Sequence, residues 1–250
     1  LKATGVQGAS AIGLFVCSGS ETNTEIAAAA GFDWLLIDGE HSPYTLETVV
    51  SLLRTVAAYP TTPVVRIPAN DTVLIKQYLD TGAQNLMVPM VRTREQAEQA
   101  AAAMHYPPRG VRGIGSALAR SSRFGAVDGY LQHASELVSL TVQIESGQAV
   151  NNAEAIASVD GVDAVFIGPA DLAASMGYLG DQQHPEVLAA VQSTFDAVKR
   201  AGKPVGINAF NQEQATQYVE AGADFVCVGA DVQQLAVAVH GLVGKFKEIQ

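Results

Sequence analysis

Residues 29–60 read AAGFDWLLIDGEHSPYTLETVVSLLRTVAAYP, and this stretch decides the fold. Ala30-Gly31 marks a helix end, because glycine readily takes the left-handed conformation that closes a last turn. The run DWLLID at 33–38 carries an unbroken apolar middle, as expected of a strand buried on both faces. It passes directly into Asp38-Gly39-Glu40-His41, a polar strand end. A helix follows over 45–58, where Leu46, Val49, Val50, Leu53, Val56 and Ala57 keep the i, i+3, i+4, i+7 spacing.

The same unit of strand, polar end, amphipathic helix and small residue plus glycine recurs in both directions. Thr81-Gly82, Ala201-Gly202 and Ala221-Gly222 repeat the helix stop, and a strand follows each. Strand runs lie at 11–16, 33–38, 62–67, 85–90, 139–144, 163–167, 203–208 and 224–229. Thr93 and Gln96 have capping-box spacing before a helix over 94–105. Pro185 opens another over 185–201, Asn211 caps 212–221 and Asp231 caps the last helix. Strict alternation implies parallel strands, and eight units imply an α/β single domain over residues 1–250, a closed (β/α)8 TIM barrel. An open doubly wound sheet is the alternative; no G-x-G-x-x-G loop follows the first strand, which weakens its dinucleotide-binding form. The Gly-, Pro- and Arg-rich excursions at 106–125 and 168–184 are expected to build the active face.

Composition narrows the function. Of 250 residues 48% are hydrophobic and 16% charged, enough apolar material for a large core and too much for disorder. Fifteen Lys plus Arg against 25 Asp plus Glu give −10, a charge that repels nucleic acid. No apolar run reaches the ~18 residues of a membrane span, so no membrane partner is expected. The two cysteines, Cys17 and Cys227, sit in or beside strand runs and exclude a disulfide framework, which fits a reducing cytoplasm.

In a barrel of this kind chemistry lies at the C-terminal strand ends. Glu145 follows strand 5 and Asp171 follows strand 6, and two carboxylates with few cations nearby form a hard oxygen site for Mg²⁺ or Mn²⁺. Helix capping is the other role open to each. His41 follows strand 2 with Asp38 three residues earlier, so a carboxylate could poise the imidazole as a base; a solvent-exposed loop histidine is the alternative. Arg66 interrupts the apolar run PVVRIP and requires an anionic partner, either a substrate oxygen or a structural salt bridge to Asp38 or Glu145. None of the six lysines ends a strand, so a Schiff-base aldolase has no candidate nucleophile. No G-x-S-x-G elbow occurs.

Six segments together carry a resemblance: GFDWLLIDGEHSPY at 31–44, PVVRIP at 63–68, IKQYLDTGAQNLMVPMV at 75–91, YPPRGVRGIGSALARSSRFG at 106–125, VQIES at 142–146 and GVDAVFIGPADLAASMGY at 161–178. The chain resembles the HpcH/HpaI family of metal-dependent class II pyruvate aldolases from about residue 5 to residue 245. The resemblance implies a (β/α)8 barrel and a divalent metal (Mg²⁺, Mn²⁺ or Co²⁺) held by Glu145 and Asp171. It makes His41 the acid/base residue, Arg66 the transition-state stabiliser, and Gln143, Ala170 and Asp171 pyruvate contacts. Backbone N–H groups over Gly168–Asp171 are a further expected carboxylate contact. Asp80, in IKQYLD, matches a family aspartate that raises the basicity of the histidine. It falls at the bottom of its own barrel, so it would act on the His41 of another subunit; the family is hexameric, a trimer of dimers. Asn208 and Phe210, in GINAFNQ, depart from the expected aliphatic residues where the aldehyde approaches.

The implied reaction is reversible cleavage of 4-hydroxy-2-oxo acids, such as 4-hydroxy-2-oxoheptanedioate, to pyruvate and an aldehyde such as succinate semialdehyde. Alternatives are a 2-keto-3-deoxy-sugar acid aldolase, a CoA-thioester lyase drawing on Arg109, Arg112, Arg120 and Arg123, an enolpyruvate phosphoryl-transfer enzyme, or a barrel that only binds metabolites. The phosphoryl-transfer reading needs a nucleotide module for which this chain has no room.

Overall fold

A computed structural model describes residues 9–247. Eight parallel strands close in sequence order: β1 (Ala11–Val16), β2 (Trp34–Asp38), β3 (Thr62–Arg66), β4 (Asn85–Val88), β5 (Ser139–Ile144), β6 (Ala164–Ile167), β7 (Val205–Asn208) and β8 (Phe225–Ala230), with β8 pairing back onto β1. The expected (β/α)8 barrel is therefore the architecture. Around it run α1 (Glu21–Ala29), α2 (Leu46–Val56), α3 (Thr72–Asp80), α4 (Arg94–Met104), α5 (Tyr130–His133), α6 (Gly147–Asn151), α7 (Ala153–Ala157), α8 (Pro169–Ser175), α9 (Pro185–Arg200), α10 (Gln212–Glu220) and α11 (Asp231–Lys247).

The helix boundaries follow their caps. Thr45 accepts the Thr48 N–H, Thr93 that of Gln96, and Asn211 that of Gln214. The four helix-stop glycines, Gly31, Gly82, Gly202 and Gly222, all have φ between +71° and +94°. β4 ends two residues before its expected limit because Met90 takes φ +56°, which no continuing strand allows.

Two apolar layers separate by strand periodicity. Outward-facing residues such as Leu35, Ile37 and Val65 pack under the helices. Inward-facing residues fill the lumen, where Trp34, Phe166 and Phe225 form a plug with ring centroids 5.8–6.1 Å apart. Two glycines make room for these rings. An added Cβ at Gly13 would lie 2.2 Å from Trp34, and one at Gly206 2.3 Å from Phe225.

The same period of two lifts polar residues above the plug. Trp34, Leu36 and Asp38 share the inner face of β2, as Val64 and Arg66 do on β3 and Thr141 and Gln143 on β5. The 168–184 excursion follows β6 and lies on this active side. The 106–125 excursion does not, contrary to expectation: it follows a helix, α4, and so lies at the opposite face with the end of α3.

Among the described residues no helix is long and apolar enough to cross a membrane. Helix α11 leaves the barrel surface, and Val232, Leu235, Val237, Val239, Leu242, Val243 and Phe246 along it are all exposed.

Filling the Gly13 space should break the plug. Gly13→Val is expected to cost about 3 kcal/mol or more, since overpacking a rigid ring against backbone leaves no relaxed rotamer. Urea unfolding followed by tryptophan fluorescence, reporting on Trp34 itself, measures this.

Candidate active site

Arg66 is 6% exposed and Asp38 2%, so the guanidinium and the carboxylate answer each other's burial. They stand in register on neighbouring strands. Nε and Nη2 of Arg66 each donate to one oxygen of Asp38 at 2.9 Å, a bidentate pair. The third nitrogen, Nη1, lies 3.0 Å from Glu40. Below, the guanidinium rests over the Phe15 ring, 5.1 Å from its centroid.

Asp38 also shapes the turn that follows it. Its Oδ1 accepts the backbone N–H groups of Glu40 and His41 at 3.1 and 3.4 Å. The expected contact between Asp38 and the His41 ring is not the one formed: both Asp38 oxygens serve Arg66. The carboxylate beside the ring is Glu40, whose Oε2 is 3.7 Å from His41 Nε2. The His41 ring is largely exposed, at the mouth. Glu40 was missed as a site residue, although the polar run Asp38–His41 contained it. Burial raises its carboxyl above the usual range, partly offset by the charge of Arg66.

Glu145, directly after β5, is buried, and both its oxygens already accept hydrogen bonds. Met90 N–H donates to Oε1 at 2.7 Å and Gln143 Nε2 to Oε2 at 2.7 Å. The left-handed backbone of Met90 aims that N–H at the carboxylate, a role its sequence did not signal. Burial, with the charges of Glu40 and Asp171 adding, pushes the Glu145 carboxyl up to about 7. Gly168 forms the neighbouring wall: an added Cβ would sit 2.6 Å from Glu145 Oε2 and 2.8 Å from Gln143 Nε2. Gln143 Oε1 is buried and has no hydrogen-bond partner among the described residues. Asp171 and Ala170, in the first turn of α8, are exposed above it.

This oxygen set fits a divalent cation. Among the described residues no three His, Cys, Asp or Glu side chains gather into a cage. A hard cation bound by one or two carboxylates and completed by water and substrate needs no such cage. Glu145 and Asp171 are the pair that would hold it.

Phe210 stands edge-on to Phe15, with centroids 5.6 Å apart, on the side of the mouth reached from β7. Asp80 is brought to none of these residues. It ends α3 at the far face, where its Oδ1 accepts a 2.8 Å bond from Arg112 Nη2.

Gly168→Ala should displace Glu145 and Gln143 without unfolding the barrel. Mn²⁺ affinity, followed by electron paramagnetic resonance, is expected to fall by roughly tenfold or more, the scale of losing an orienting contact around a ligand. Unchanged affinity would detach Glu145 from the metal.

Comparison with known proteins bears on the chain and its fold. The model of the HpcH/HpaI aldolase/citrate lyase family matches residues 11–238. A 4-hydroxy-2-oxo-heptane-1,7-dioate aldolase from Shigella sonnei is 50% identical over 235 residues, 94% of this chain and 90% of the relative. The crystal structure of an HpcH/HpaI aldolase/citrate lyase family protein from Burkholderia cenocepacia J2315 superposes with a TM-score of 0.93 at 41% identity, covering 96% of this chain and 95% of that one. An HpcH/HpaI aldolase from Desulfitobacterium hafniense DCB-2 gives a TM-score of 0.90 at 30% identity, covering 99% and 96%. The family model and the identity to its members agree: the chain belongs to the HpcH/HpaI aldolase/citrate lyase family.

Proposed function

We propose that this enzyme cleaves 4-hydroxy-2-oxo acids reversibly to pyruvate and an aldehyde, with 4-hydroxy-2-oxoheptanedioate as substrate and succinate semialdehyde as the aldehyde product. The observation that carries this reading is a cationic group and an acidic cradle side by side above the aromatic plug: Arg66 locked on Asp38, and Glu145 walled by Gly168. The 50% identity to an aldolase of that name supports the choice of substrate.

Cleavage of the C3–C4 bond requires that the C4 hydroxyl lose its proton and that the electron pair of the bond be held as an enolate. His41, exposed at the mouth and flanked by Glu40, takes that proton and returns it at C3, yielding the methyl group of pyruvate. The Arg66 guanidinium, held rigid by two bonds to Asp38, sets fixed positive charge where the enolate oxygen gains negative charge. Gln143, with a free Oε1 and an Nε2 committed to Glu145, bounds the pyruvate pocket, as Gly168 and Ala170 do. A divalent metal, Mg²⁺, Mn²⁺ or Co²⁺ on Glu145 and Asp171, supplies Lewis-acid stabilisation when bound. Phe210 borders the aldehyde half.

We further propose a homo-oligomer, a hexamer built as a trimer of dimers, working in the cytoplasm. Its support is twofold. The seven exposed apolar residues of α11 lack cover among the described residues. Asp80 and His41 lie at opposite ends of one barrel, so their partnership needs two copies.

Chelation with EDTA should abolish pyruvate release from 4-hydroxy-2-oxoheptanedioate in a coupled assay, and Mg²⁺, Mn²⁺ or Co²⁺ should restore it. Full activity in chelator, or borohydride trapping of pyruvate on a lysine, would sink the metal mechanism. Arg66→Ala is expected to lower turnover by roughly a hundredfold or more while the metal still binds. Phe210→Ala should change relative rates among aldehydes by an amount worth ~1–3 kcal/mol. Deuterium exchange at the pyruvate methyl should barely respond; loss of that exchange would contradict the division of the site. Light scattering should report an oligomer, and a monomer would remove the cross-subunit role of Asp80.

A further inference from the structure

A second cleft lies at the opposite end of the barrel, under the starts of β3, β4 and β5. Its volume is about 630 Å³, within the range of small-molecule sites, ~300–1,000 Å³. Three of the nine arginines of the chain, Arg54, Arg120 and Arg123, line it, and among the described residues no Asp or Glu does. In a chain carrying 25 acids against 15 bases this segregation is unusual. Among the described residues none of the three has a carboxylate partner.

The guanidiniums are felt by one another. Arg120 is held below its ordinary range by burial and then by the charges of Arg54 and Arg123. It is anchored by a 3.0 Å bond from Nη1 to the carbonyl of Thr81. Arg123 and Phe124 both adopt left-handed backbone, at φ +52° and +59°, although neither is glycine. Such conformations persist where the surroundings impose them.

An independent observation also points to a ligand. The hydroxyls of Thr61 and Ser121 line the same cleft, are buried, and have no hydrogen-bond partner among the described residues. Thr61 is only 5% exposed. Buried hydroxyls are ordinarily satisfied, so two orphans in a cleft with three guanidiniums that lack a carboxylate partner among the described residues describe a site missing its acceptor. The remaining wall is apolar, with Leu53, Val56, Val127 and Leu137.

We infer that this cleft binds a small organic anion, its carboxylate or phosphate oxygens on Arg54, Arg120 and Arg123 and its apolar body against Leu53 and Val127. The site is separate from the strand-end acids and does not rest on the aldolase reading. It adjoins the C-terminal end of α3, which carries Asp80, so occupancy bears on that helix end through the Arg120–Thr81 bond.

The test titrates the whole oligomeric enzyme with inorganic phosphate and, separately, with succinate, at constant ionic strength with sodium chloride as control. Calorimetry and melting temperature are the readouts. Saturable binding is expected in the wild type and in Arg66→Gln, weakened roughly tenfold in Kd by Arg54→Gln or Arg123→Gln, the scale of one charge-assisted hydrogen bond, and lost in the double variant. Tighter binding of succinate than of phosphate would identify the carboxylate class, and the reverse the phosphate class. Three results would overturn the proposal: no saturable binding in the wild type, equal binding in the double variant, or binding abolished by Arg66→Gln. A change of oligomer mass in the double variant without anion binding in the wild type would assign the arginines to a subunit contact instead.

Discussion

A buried guanidinium cannot stand alone, and that constraint organises the mouth of this barrel. Arg66 sits above an aromatic plug and under the strand ends, where water reaches it poorly. Removing one member of such a pair typically costs about 3–5 kcal/mol, because the other is left charged and unsolvated. Asp38 meets the need with both oxygens. In doing so it spends its side chain on Arg66 and on the backbone of the next turn, and Glu40 is left as the carboxylate near His41. One ion pair thus fixes the direction of Arg66, the shape of the Asp38–His41 turn and the neighbour of the imidazole.

Much of this was legible in the sequence because it follows from period and punctuation. Continuous apolar strand runs, separated by capped helices and helix-stop glycines, point to parallel strands, and eight such units point to a closed barrel. The polar strand ends, read in order, name Asp38, Arg66, Gln143, Glu145 and Asp171. What the sequence left open was which pairing forms. Spacing placed Asp38 near His41 and also offered it to Arg66 as a salt-bridge partner; the cross-strand register of β2 and β3 gave it to Arg66. Met90 was invisible as a contributor because its contribution is a backbone N–H in an unusual conformation, and side-chain chemistry carries no trace of that. The 106–125 segment was assigned to the wrong face because its composition suggested function, whereas its position after a helix determines where it lies.

The two ends of the barrel consequently hold different chemistry. The strand-end side carries acids with one locked arginine. The other side carries Asp80 on Arg112, a loop with Val111, Ile114 and Leu118 exposed, and the cleft of Arg54, Arg120 and Arg123. Small residues set the limits of both. Gly168 defines the cradle at one end, and Gly13 and Gly206 admit the plug that divides the two.

We propose that Arg66 and Asp38 act as one unit in stabilising the developing enolate. A double-variant cycle on turnover, using Asp38→Asn, Arg66→Ala and both together, tests it most directly, since groups that act together are non-additive. Asp38→Asn is expected to lose nearly as much turnover as Arg66→Ala, with the double variant little worse than either. Independent, additive losses, or an Asp38→Asn enzyme with near wild-type turnover, would contradict it.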